Sequence, residues 1–194
     1  MKQHFYILVF AVAFICRQAS AQPTSSEIGQ NPIIMENSME NYTVVNKPSL
    51  IVVGIECRTS NAPEDAPQDI PRHWRKFYTE NIASLIPNKL SDDVIALYCD
   101  YEGDYTQPYS FVLGCFVSSS ESIPDGLVAK VLPEGPYELH RAIGEHPESV
   151  IGTWTSIWQD RDLKRTYTGD YEVYGKKFSG TPQEVEVLIA IEND

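Results

Sequence analysis

The chain spells one order of elements twice, and that repetition constrains its fold more than any other feature. The first copy is a β-branched strand, Leu50 to Cys57. A helix follows from Pro71 to about Ile82, with Trp74 and Phe77 at core spacing. Two strands come next, Val94 to Glu102 and Tyr109 to Val117. The second copy is a strand from Tyr137 to Ile143 and a helix from Glu148 to about Leu163, carrying Trp154 and Ile157. Strands from Tyr171 to Phe178 and from Glu184 to Ile191 complete it. Asp100-Tyr101-Glu102 and Asp170-Tyr171-Glu172 sit at corresponding places in the two copies. Two β-α-β-β units predict an α+β fold: an antiparallel sheet with both helices on one face. A further strand, Leu127 to Leu132, falls between the copies.

The second copy carries the chemistry. Trp154 and Trp158 are four residues apart and share one helix face. On the following strand Tyr171 and Val173 point one way, and Glu172 and Tyr174 the other. The last strand alternates, with Val185, Val187, Ile189 and Ile191 facing the helices. The expected register places Glu172 on the opposite face, beside Leu188 and Ala190. A carboxylate among apolar neighbours with no arginine nearby either takes a proton or meets a cation. The plainer alternative is that Glu172 is a solvated strand position.

The order of short motifs resembles the GyrI-like effector-binding family. That family supplies the ligand domain of AraC- and MerR-type multidrug regulators and also occurs as stand-alone integron-cassette proteins. The matching residues run from Tyr98, Tyr101 and Glu102 through Tyr109 and Gly114 to Leu132-Pro133-Glu134-Gly135-Pro136-Tyr137. Gly144, Trp154 to Trp158 and Asp170 to Tyr174 follow. The resemblance covers Leu50 to Glu192. It implies two pseudo-symmetric halves, a ligand groove on the open sheet face away from the helices, and a buried glutamate that meets amphipathic cations. Glu172 matches the glutamate and Tyr137 a groove aromatic. Trp154 and Trp158 match the helix motif, as core or groove wall. Tyr101, Tyr109 and Phe111 are expected as groove or core aromatics of the first half. No metal or other cofactor is implied.

Composition narrows the partners. Fifteen Lys and Arg against 27 Asp and Glu give a net charge of −12, which argues against nucleic acid, whose phosphates require clustered cations. No G-x-S-x-G nucleophile motif, phosphate loop or C-x-x-C pair occurs. At the N-terminus, Phe5 to Cys16 is apolar but short, and Ala19-Ser20-Ala21 follows as a small-residue cleavage site. Residues 1–21 therefore read as a signal peptide, 22–46 as a linker or flexible tail, and 47–194 as the effector-binding domain. The mature protein is expected outside the cytoplasm, periplasmic or secreted, with no stable membrane insertion. Cys57, Cys99 and Cys115 remain after cleavage; buried, inert thiols are the expected state, and a Cys99–Cys115 disulfide is the alternative. The expected activity is binding of a small amphipathic cation. A hydrolase using Glu102 and Glu172 as an acid–base pair, or a secreted protein-interaction module, are the alternatives.

Overall fold

The computed structural model describes residues 42–193. Its strands are β1 (Tyr42–Lys47), β2 (Leu50–Thr59), β3 (Val94–Cys99), β4 (Tyr109–Val117), β5 (Val128–Leu132), β6 (Gly135–Ile143), β7 (Asp170–Tyr174) and β8 (Glu184–Ala190). Its helices are α1 (Ala66–Thr79), the single turn α2 (Ile82–Leu85) and α3 (Glu148–Gln159), and a 3₁₀ turn spans Lys176–Ser179. The strands form one eight-stranded sheet in the order β1-β6-β8-β7-β3-β4-β2-β5. Every pairing in it is antiparallel. The mixed α+β fold read from the sequence is the fold observed.

The order is symmetric about the β7–β3 pair. A half-turn through the Ala96–Glu172 pair exchanges β3 with β7, β4 with β8, β2 with β6, and β5 with β1. Each half is a β-α-β-β unit extended by one edge strand. Both helices lie on the same face. Phe77 of α1 and Val150, Trp154 and Ile157 of α3 share one core with Val53, Ile55, Phe111, Val185, Val187 and Ile189. The other face is covered by a smaller core built around Val52, Leu97, Leu139, Tyr137, Tyr171 and Leu188. In β2, neighbouring Val52 and Val53 thus enter different cores, which explains its unbroken apolar run. Gly54 and Gly114 face each other across β2 and β4. A Cβ at Gly54 would lie 2.0 Å from the Leu113 carbonyl oxygen, so the backbones approach closer than a side chain permits.

Three expectations shift. Residues 42–46, assigned to the tail, belong to β1, an edge strand paired along β6, so the ordered domain begins before residue 47. The expected signal peptide lies outside the described residues. Helix α1 starts at Ala66 rather than Pro71, which sits inside it. There Pro71 forfeits only its bond to the Pro67 carbonyl, close to the helix start. Strand β7 ends at Tyr174, and the 3₁₀ turn occupies the rest of its expected span. The expectation of unpaired thiols holds: Cys99 and Cys115 lie in the two different cores, on opposite faces of the sheet, and both are free. Burial raises the Cys99 thiol to about 12 and the Cys57 and Cys115 thiols to about 11, so all three stay protonated.

Candidate functional site

Glu172 stands at the centre of the sheet, and its register decides its surroundings. It pairs with Val187 on β8 and with Ala96 on β3, so its side chain rises on the helix-bearing face. The expected register was off by one residue. That slip moves Glu172 away from Leu188 and Ala190 and places it between α1 and α3. The groove expected on the face away from the helices is therefore not where Glu172 lies.

Glu172 is 2% exposed. Its Oε1 accepts from the Tyr98 hydroxyl at 2.9 Å and from the Trp154 indole N–H at 2.6 Å. Its Oε2 accepts from the Tyr174 hydroxyl at 2.7 Å. A carboxylate oxygen has two acceptor positions, so Oε2 keeps one unused. Burial raises the Glu172 pKa; the bonds from Trp154, Tyr174 and Tyr98 pull the other way without cancelling it. No cationic side chain among the described residues contributes to that balance. Burial, reinforced by Glu172 itself, holds the Tyr98 and Tyr174 phenols well above their ordinary value, so both remain donors.

The aromatic shell follows the fold's pseudo-symmetry. The half-turn that exchanges β3 and β7 exchanges Tyr98 with Tyr174 and places Ala96 opposite Glu172. Trp154 meets Tyr98 edge-on at 5.1 Å, and Trp74 meets Tyr174 edge-on at 5.0 Å. One helical turn on, Trp158 tilts over Trp154 at 5.9 Å and Tyr78 stacks on Trp74 at 5.7 Å. Two aromatic walls thus flank one acid. The true internal repeat is Trp74 and Tyr98 with Trp154 and Tyr174. The two Asp-Tyr-Glu triplets do not occupy equivalent places: Glu102 lies beyond the end of β3, exposed, 2.6 Å from Arg58. The acid pair of the hydrolase reading is not assembled.

Of the residues singled out in the sequence, Trp154, Trp158, Tyr101, Tyr109 and Phe111 gather on the Glu172 face. Phe111 and Tyr109 pack on Tyr98 at 5.1 and 5.8 Å, and Tyr101 packs on Tyr109 at 5.3 Å. Tyr137 does not join them. It pairs with Ala190 on the opposite face and packs edge-on against Tyr171 at 5.6 Å. Sequence reading missed Tyr98, Tyr174 and Trp74 as members of the site. Tyr174 was signalled by its two-residue spacing from Glu172; Tyr98 becomes adjacent only through the β3–β7 register.

A second buried charge lies alongside. The Asp170 carboxylate accepts from Arg165 Nη2 at 2.6 Å and the Tyr101 hydroxyl at 3.1 Å, and its other oxygen accepts from the Ala190 N–H at 2.9 Å. The Arg165 and Asp170 side chains are 5% and 0% exposed. The Arg165 guanidinium lies over the rings of Tyr167, Tyr105 and Trp154, at 4.5, 5.8 and 5.9 Å. Among the described residues, no group of three or more His, Cys, Asp and Glu side chains converges as metal ligands would.

Two pseudo-symmetric halves, a helix from each on a shared face, and a buried carboxylate between aromatic walls define the GyrI-like class of effector-binding fold. Within that class the chain belongs to the integron-associated effector binding protein family, Cass2, whose pattern matches residues 43–191. It is 32% identical over 142 residues to YobU of Bacillus subtilis (strain 168), named as a candidate transcriptional regulator; the match covers 71% of this chain and 88% of that protein. An integron cassette protein of Vibrio cholerae is similar in structure, with a TM-score of 0.63 at 28% identity, over 79% of this chain and 97% of the other. The protein SAV2435, solved bound to tetraphenylphosphonium, shares the fold with a TM-score of 0.65 at 19% identity, over 78% and 94% of the two chains. Small-molecule binding is the role that this membership supports.

Proposed function

We propose that the protein binds small amphipathic cations on the helix-bearing face, with Glu172 as counter-charge and the Trp154–Trp158 and Trp74–Tyr78 walls as the apolar enclosure. The observation that carries this reading is the state of Glu172: buried, raised in pKa, held by three neutral donors and without a cationic partner among the described residues. Such a group is poorly stabilised as an anion until a cation arrives. A cation reaching Oε2 supplies the missing charge, and the ring faces add quadrupole attraction. The tetraphenylphosphonium bound to SAV2435, a protein of the same fold, is a ligand of this chemistry.

In the closed arrangement Trp154 occupies Glu172 Oε1, and Tyr105 stacks on Trp158 at 6.0 Å above it. Entry of a ligand requires Tyr105 and Trp158, both half-buried, to part. The test is a titration with tetraphenylphosphonium followed by tryptophan fluorescence. Saturable quenching is expected, because Trp154 and Trp158 border the acid. Unchanged fluorescence together with no heat of binding by calorimetry would contradict the reading. The export expected from the N-terminal sequence belongs to the same proposal and places the ligand outside the cytoplasm.

A further inference from the structure

The Arg165–Asp170 pair does more than neutralise a charge. Only Nη2 of Arg165 is used by Asp170. Nε and Nη1 are buried and have no hydrogen-bond partner among the described residues. Orphaned donors of a charged group are costly in a folded interior. They belong to a guanidinium that borders the aromatic wall of the proposed site. The guanidinium lies 5.9 Å from the Trp154 ring, and the indole N–H of that ring donates to Glu172. The Arg165 guanidinium and the Glu172 carboxylate thus both border the Trp154 ring, so a molecule seated against that ring comes within reach of both.

The geometry points to Arg165 as a second recognition group beside Glu172, donating from Nε or Nη1 to an acceptor oxygen carried by the cationic ligand. Asp170 already neutralises the guanidinium, so a neutral carbonyl suits the position better than a second carboxylate. A carboxylate there would add an unbalanced negative charge beside Asp170. The ligand class is then an ammonium ion that also carries an aryl group and an ester, amide or ketone carbonyl. Tyr105, over both Trp158 and the guanidinium, covers this group and is the ring that must move to expose it. This inference rests on the cation reading of Glu172 and adds which further group the ligand carries.

The test compares benzoylcholine with choline benzyl ether, in which the carbonyl is replaced by a methylene, by calorimetry on the wild type, Arg165→Lys and Glu172→Gln. The wild type is expected to bind the ester about tenfold more tightly, the worth of one hydrogen bond to a charged donor. Arg165→Lys keeps a cation for Asp170 but lacks the guanidinium fork. It should bind both compounds with affinities within about twofold of each other, near that of the ether. Equal wild-type affinities, or a preference that survives in Arg165→Lys, would overturn the inference, and the wild-type comparison stands even if the variant folds poorly. If Glu172→Gln weakens both compounds while the wild type does not distinguish them, the Arg165 inference alone fails. If neither compound binds, the cation reading fails with it.

Discussion

Replacing Glu172 by Gln removes the charge and leaves the shape. The Gln carbonyl oxygen can still accept from Tyr98 and Trp154, and its NH₂ group can donate to the Tyr174 oxygen. A cation about 4 Å from the carboxylate gains about 4 kcal/mol at an effective dielectric near 20. Ionising Glu172 opposes part of that gain, because burial has raised its pKa. The net contribution of the charge is then about 1.5–3 kcal/mol, or a ten- to hundredfold loss of affinity in the variant. Fluorescence titration with tetraphenylphosphonium measures it, and a neutral triarylphosphine oxide of similar size serves as control. The control should bind the wild type and Glu172→Gln alike, since the aromatic walls are intact. An equal loss for both ligands would refute the reasoning and make Glu172 a support of the fold.

The remaining expectations concern pH, the donors and the second ion pair. Because the free acid is raised above 4.5, cation affinity should fall as pH drops through that raised value; a pH-independent affinity over the same range would show that no proton leaves on binding. The same shift favours folding most at acidic pH and fades as pH rises through the folded value, so Glu172→Gln should raise the neutral-pH melting temperature of the empty protein. Tyr98→Phe and Tyr174→Phe each delete one donor to Glu172 and should each cost about 1–3 kcal/mol in denaturant unfolding. Asp170→Ala leaves the buried Arg165 unpaired and should cost about 3–5 kcal/mol, readable as a lower urea midpoint. N-terminal sequencing of the protein from its natural source should find a start near Gln22, and a start at Met1 would contradict export.

What was legible in the sequence is what depends on local order. The two β-α-β-β units follow from hydrophobic period and turn residues, and Glu172 stands out as an acid among strand aromatics. The site's assembly depends on register, which is not local. A shift of one residue between β7 and β8 exchanges the faces of the sheet, and so separates Glu172 from Tyr137 and brings it to Tyr98. The repeated Asp-Tyr-Glu misled for the same reason: identical triplets at similar places do not guarantee equivalent positions. The tryptophans were the better marker of the repeat, because Trp74 and Trp154 occupy matching positions against Tyr174 and Tyr98. Strand β1 was hidden because its edge position leaves Thr43, Val44 and Asn46 exposed, so its sequence shows no sustained apolar alternation.

The central claim is that the ligand's charge meets Glu172 on the helix-bearing face. A crystal structure of the protein with tetraphenylphosphonium measures this directly. The account predicts the phosphonium beside Glu172 Oε2, between the Trp154 and Trp74 walls, with Tyr105 displaced from Trp158. Density for the ligand on the opposite face beside Tyr137, with Glu172 still closed by Tyr98, Tyr174 and Trp154, would contradict it.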